Sequence, residues 1–262
     1  MPGEFANKVV VVTGGSRGIG LGIAKAFAGE GAQTVLVSSS AENLKAAAKA
    51  VDALGGPQAL PIEADLRNAA ACASVFDNVQ QRLQRCDVLV NCAGATKAGS
   101  FLDLPDAAWI DGFALKFHGC VRLCRLFWPM LKAAQGHVIN IDGGAARSPS
   151  AEFLIGGSVN AAMGNFSKGL SQLGKRDGVN VNVIHPGTTE TERNLQLLAQ
   201  RAAASGRTVG DLQAEALAKS GIRRVGKPDD IAALTLFLCS ERARHIQGTA
   251  IAVDGGATVG YY

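Results

Sequence analysis

The chain has 262 residues, 47% of them hydrophobic and 18% charged, with a formal net charge of +4. That composition suits a globular α/β chain with a sizeable core and excludes a disordered or fibrous one. Lysine and arginine are scattered rather than striped, so the electrostatic footprint of a nucleic-acid binder is missing. No run approaches the ~18 uninterrupted apolar residues of a membrane span, and residues 1–10 carry Glu4 and no apolar leader core, which predicts a cytoplasmic protein with no membrane partner.

Residues 9–13 form a β-branched run. Gly14, Gly15, Gly18 and Gly20 follow, and Ile19, Ile23, Ala24 and Phe27 then recur at helical spacing, giving strand, glycine turn, helix. The alternation repeats, with strands predicted at 34–37, 58–62 and 88–91 and helices over 41–54 and 69–83. Two linked strand–helix–strand units are complete by residue 91. A long helix over 106–133 comes next, then a strand at 137–141, a helix over 158–175 and a strand at 179–184. A last helix over 228–239 precedes a strand at 250–253. This predicts a three-layer Rossmann fold, a parallel sheet of about seven strands with helices on both faces, in one domain over 1–262. The polar, alanine-rich segment 188–220 is the candidate substrate lid, with an ordinary helical excursion as the alternative.

Cys72, Cys86, Cys92, Cys120, Cys124 and Cys239 contain no C-x-x-C spacing, and Cys120 and Cys124 stand one helical turn apart without nearby ligand pairs. All are expected to be reduced thiols, and no metal site is expected. The only tyrosines are Tyr261 and Tyr262, so the body of the chain has no tyrosine chemistry available.

The turn Thr13-Gly14-Gly15-Ser16-Arg17-Gly18-Ile19-Gly20 closes a strand and opens a helix. Its glycines let backbone approach a pyrophosphate, and the helix N-terminus supplies amide donors and positive potential. Asp65-Leu66 follow the third strand, Asn91-Cys92-Ala93-Gly94 the fourth and His185-Pro186-Gly187 the sixth. With the closing signatures Gly226-Lys227-Pro228-Asp229-Asp230-Ile231-Ala232 and Val253-Asp254-Gly255-Gly256, the sequence resembles the short-chain dehydrogenase/reductase family from Lys8 to Gly256. The resemblance implies a dinucleotide across the strand tips, bound by the glycine turn, with Asp65 and Leu66 near adenine. It places Asn91, Ala93 and Gly94 along the ribose side, Asn160 within reach of a ribose and Thr191 near the nicotinamide amide, with Pro186 and Gly187 also among the cofactor-binding residues. An acidic side chain at the end of the second strand would bond the adenosine ribose and repel a 2′-phosphate. Ser38, Ser39 and Ser40 stand there instead, and Arg17 offers a guanidinium, which favours NADP(H) over NAD(H).

Family members usually carry an Asn, Ser, Tyr, Lys tetrad, with the tyrosine as general acid/base and the lysine lowering its pKa. Counted back from His185-Pro186-Gly187, the Tyr-x-x-x-Lys positions fall on Gly156-Gly157-Ser158-Val159-Asn160, the serine on Gly143 and the asparagine on Lys116. Gly156 offers no proton, Gly143 no hydroxyl and Asn160 no charge, so ordinary carbonyl reduction by that route is disfavoured. Lys116 is the candidate electrophile or proton donor and Asp142 the candidate proton carrier; a snorkelling lysine and a turn-forming aspartate are the plainer alternatives. His118 is expected in packing or an interface.

Relatives commonly form homotetramers, so a homodimer or homotetramer is expected, with an active paralogue as a further candidate partner. Tyr261 and Tyr262 are expected to anchor an interface, a tyrosine supplied in trans being the alternative. The function expected is an NADP(H)-binding oxidoreductase with a non-standard active site, acting on a small molecule. The alternatives are a catalytically silent nucleotide-binding subunit or redox sensor, and a non-redox enzyme reusing the cleft. Phe153, Leu154, Ile155 and the segment 188–220 suggest an apolar or mixed substrate pocket.

Overall fold

Strand β1 (Val9–Thr13) is buried along its whole length. Its sequence, VVVVT, is apolar on both faces, as a strand covered by helices above and below requires. The computed structural model describes residues 3–258, so Tyr261 and Tyr262 lie outside the described residues. Strand β1 pairs with β2 (Gln33–Ser38), which pairs in turn with β3 (Leu60–Glu63). On its other side it pairs with β4 (Val88–Asn91), followed outward by β5 (His137–Ile141), β6 (Asn180–Pro186) and β7 (Ala250–Val253). Every pairing is parallel, in the order β3-β2-β1-β4-β5-β6-β7.

Alternate side chains of each strand enter opposite layers. Val10 and Val12 pack with residues of α1 (Gly18–Gly29), α2 (Ala41–Asp52) and α9 (Pro228–Leu238). Val9 and Val11 pack with residues of α3 (Ala69–Arg82), α5 (Gly119–Ala134) and α6 (Leu154–Asp177). Short polar side chains start the helices where expected: Ser40 Oγ accepts from the Asn43 amide at 3.3 Å and Asn68 Oδ1 from the Ala70 amide at 2.8 Å.

The predicted helix over 106–133 is in fact three pieces. Helix α4 (Asp106–Gly112) runs through a π-helical turn, Phe113–His118, into α5. The helix predicted over 158–175 begins earlier, at Leu154. Gly156 and Gly157 weaken helix propensity there, and burial of Ile155 and Val159 overrides it. Segment 188–220 folds as a helical pair, α7 (Glu192–Ser205) and α8 (Val209–Ser220), each capped by a threonine and closed by a left-handed glycine. Among the described residues no helix is long and apolar enough to cross a membrane.

His137 opens β5 buried, and its Nδ1 has no hydrogen-bond partner. Burial, with Arg244 and Lys8 nearby, pushes its pKa from 6.5 down to about 4. The unfolded chain takes up this proton first as pH falls. Stability is therefore complete above about pH 6.5 and is lost as pH falls toward 4, by up to about 3 kcal/mol at ~1.4 kcal/mol per unit. Urea unfolding across pH 7 to 4 should show this slope in the native protein and a flatter one in His137→Gln; equal slopes would remove His137 as the cause.

Candidate active site

Strands β1 and β4 are neighbours, but the chain leaves β1 for α1 on one face of the sheet and leaves β4 for α4 and α5 on the other. The crevice opened between their tips is a cleft of about 390 Å³. Thr13 spans its base, donating from its hydroxyl to the Val90 carbonyl at 3.3 Å and accepting the amides of Cys92 and Ala93, both at 3.0 Å.

The glycine turn forms the floor of this cleft. Gly14 (φ 64°) and Gly18 (φ 53°) occupy the left-handed region, and a Cβ on Gly14 would stand 3.0 Å from the Ala93 Cα. Arg17 precedes α1 in extended conformation and makes no side-chain capping bond, which leaves the first-turn amides of α1 to a ligand. Ser16, Ile19, Gly20, Ser38, Ser39, Asp65, Leu66, Ala93, Gly94 and Thr191 complete the expected part of the lining. Ser16 Oγ donates to Ser38 Oγ at 2.9 Å. Asp65 accepts from the Arg67 amide at 3.1 Å and its guanidinium at 3.0 Å, and the same guanidinium reaches Asp111 of α4 at 2.6 Å.

Four residues expected at the nucleotide are not among those lining this cleft. Asn91 points beneath the cleft into the α5 and α6 layer, where its Nδ2 donates to Asn140 Oδ1 at 2.8 Å. Asn140 in turn donates to Ser167 Oγ at 2.7 Å. Pro186 ends β6, and Gly187 donates its amide to the Val253 carbonyl at 3.0 Å; a Cβ there would stand 2.6 Å from the Asp254 Cβ. Asn160 lies behind the cleft wall, in a polar centre built around Lys116.

That lysine sits on the π-helical turn, where the extra residue in the turn re-aims side chains relative to an unbroken helix. A small apolar cluster of Ala108, Ile155 and Val159, with Trp109, Phe113 and Phe117 packed on it, holds this turn against α6. The Lys116 stem lies along Gly94, whose Cβ, if it had one, would stand 2.9 Å from Cδ. Its Nζ donates to Asn160 Oδ1 at 2.7 Å and to the Asp142 carbonyl at 3.0 Å. The amine therefore does not snorkel to solvent, and burial pushes its pKa down while the Asp142 charge opposes the shift. Glycine leaves room that neighbours use. A Cβ on Gly143 would stand 2.9 Å from Asn160 Nδ2, and a Cβ on Gly156 would fall on the ring of Phe153.

Asp142 does not face the cleft as a proton carrier would. Strand alternation sends Ile141 to the α1 and α9 layer and Asp142 to the α6 layer. There its carboxylate is fully buried, accepting from the Gly143 amide and pairing with Nδ1 of His185. His118 is exposed, with its ring edge-on to Phe117 at 5.4 Å.

The family model described as enoyl-(acyl carrier protein) reductase matches residues 14–258. The chain is 32% identical over 260 residues to 2-(S)-hydroxypropyl-CoM dehydrogenase 3 of Xanthobacter autotrophicus, covering 98% of this chain and 99% of that one. The chain belongs to the short-chain dehydrogenase/reductase family. L-sorbose reductase from Gluconobacter frateurii, solved in complex with NADPH and L-sorbose, superposes over the whole of both chains with a TM-score of 0.94 and 32% identity. An NADPH-bound short-chain oxidoreductase from Pseudomonas aeruginosa PAO1, described as containing an atypical catalytic center, superposes with a TM-score of 0.90 at 26% identity, over 99% of this chain and 100% of that one.

Arg67, Leu115 and Glu192 also line the cleft of this short-chain dehydrogenase/reductase, and no motif marks them. His185 does stand in a motif, but only the β5 to β6 register, Ile141 opposite Ile184, brings it beside Asp142. Because the Phe153 ring fills the space at Gly156, Gly156→Tyr should cost about 1–3 kcal/mol of stability, the usual range for overpacking. Introduced on a Phe153→Ala background, the same tyrosine should cost clearly less in urea unfolding. Equal costs on the two backgrounds would show that Phe153 is not what excludes it.

Proposed function

We propose that this protein is an NADP(H)-dependent oxidoreductase that works without the family's Tyr-x-x-x-Lys, with Lys116 stabilising and protonating the oxygen of a carbonyl substrate as it is reduced. The observation that carries the reading is an exchange of two side chains. The family pattern puts asparagine at 116 and lysine at 160, whereas Lys116 and Asn160 meet at 2.7 Å with their identities swapped. A cation and an amide both remain behind the Gly94 wall of the cleft, arriving from different elements.

The residues present fit the cofactor. The left-handed glycines and the uncapped start of α1 suit a pyrophosphate, and β2 ends in Ser38, with Ser39 and Arg17 beside it and no carboxylate to repel a 2′-phosphate. The NADPH complexes of L-sorbose reductase and of the P. aeruginosa oxidoreductase support the same choice. When bound, the nicotinamide supplies the hydride. The chain's own part is to bind, to orient and to handle the proton. Of the three donor positions on the Lys116 ammonium, the Asn160 amide and the Asp142 carbonyl take two, leaving one for a substrate oxygen. Phe153 closes the position of the usual tyrosine with an apolar ring, which suits an apolar or mixed substrate.

Titration with NADPH and NADH, followed by nicotinamide fluorescence, should show tighter binding of NADPH, and Ser38→Asp should shift the preference toward NADH by about tenfold or more. On a panel of ketones and aldehydes, Lys116→Met should lower kcat by ~10²- to 10³-fold, within the usual range of general acid catalysis, while NADPH affinity changes little. Binding without turnover on any carbonyl would favour the silent-subunit or sensor reading, and failure to bind either nucleotide would overturn the assignment.

A further inference from the structure

The buried pair of Asp142 and His185 lies outside the nucleotide cleft, and the family's tetrad has no place for it. Asp142 touches Lys116 through its main chain, the carbonyl accepting from Nζ at 3.0 Å. Its carboxylate lies on the far side of the same residue, fully buried, with one oxygen bonded to the Gly143 amide and to His185 and the other without a partner. The His185 ring is itself buried and covers the carboxylate, and among the described residues its Nε2 has no partner.

The groups facing the Lys116 amine come from four elements. Cys92 lies beyond β4, Asp142 at the tip of β5, Cys120 on α5 and Asn160 on α6. Asn160 is neutral. Burial pushes the Cys92 thiol up to about 12, and the contact with Cys124, together with burial, raises that of Cys120, so both stay uncharged near neutrality. Among the described residues one carboxylate remains in that shell. A buried cation with no counter-charge loses its proton or its position.

We propose that Asp142 is a positioning residue for Lys116. Its carboxylate, buried under His185 in the same residue whose carbonyl holds the amine at 3.0 Å, is the counter-charge to the lysine, while that carbonyl fixes the amine in place. This rests on the role given to Lys116 above and adds a specific source for its charge. It also accounts for an aspartate, with its cost of burial, at a turn where an asparagine could cap Gly143 as well.

The test uses the full chain without substrate, so that it stands even if no turnover is found. Lys116 reactivity toward acetic anhydride is followed by mass spectrometry across pH. The native lysine should turn reactive only above neutrality, and in Asp142→Asn, which keeps the shape and one acceptor, the midpoint should fall by about one pH unit or more, a tenfold change in proton affinity. With a reducible substrate in hand, the basic limb of the kcat profile should move down by the same amount. An unchanged midpoint in Asp142→Asn would reduce Asp142 to a turn cap. Should that variant not fold, a native Lys116 already fully reactive below neutrality would overturn the proposal by itself. Loss of turnover with the shift intact would fault the function assigned to Lys116, not its counter-charge.

Discussion

Both halves of the cleft hang on the hydroxyl of Thr13. Parallel strands that are neighbours in space but distant in sequence must part at their tips, and the backbone beyond each tip then loses its ladder partners. Thr13 accepts the amides of Cys92 and Ala93 and donates to Val90, so the loop after β4 stays fixed to the strand that carries the glycine turn. The Asn91, Asn140 and Ser167 side chains do the same one layer down, tying β4 to β5 and β5 to α6. With β4, β5 and α6 locked in this way, the π-helical turn has a fixed surface to pack on, and Lys116 has fixed acceptors.

Lys116 shows how a protein can keep a charge inside a wall. Its stem takes the space that a larger residue than Gly94 would need, and its amine is met by a backbone carbonyl and a side-chain amide. Neither acceptor brings charge, so the two bonds set the direction of the amine and do not neutralise it.

Much of the fold was legible because buried parallel strands write themselves as near-continuous apolar runs. β1, β4, β5 and β7 fall where the runs at 9–13, 88–91, 137–141 and 250–253 put them. The glycine turn was legible for a related reason, since only glycine tolerates the left-handed conformations at Gly14 and Gly18. The π-helical turn left no mark, because one added residue shifts an apolar period by less than the scatter of real helices. The facing of strand-end side chains was hidden too: Asn91 and Asp142 sit at the strand tips as motifs suggest, yet alternation turns both into the α5 and α6 layer. His185 became visible as a partner only through strand register, 43 residues away in sequence from Asp142.

Phe153 ties the packing of the site to the glycine at position 156. A tyrosine introduced at position 156 meets an aromatic ring already in its place, and a lysine introduced at position 160 puts a second cation against Lys116. Replacing Lys116 by asparagine would take away the ammonium that the Asp142 carbonyl and Asn160 Oδ1 both accept from. Each of these single substitutions passes through a strained or unbalanced arrangement. Positions 116, 153, 156 and 160 are therefore coupled: a change at one is tolerated only with a compensating change at the residue it meets.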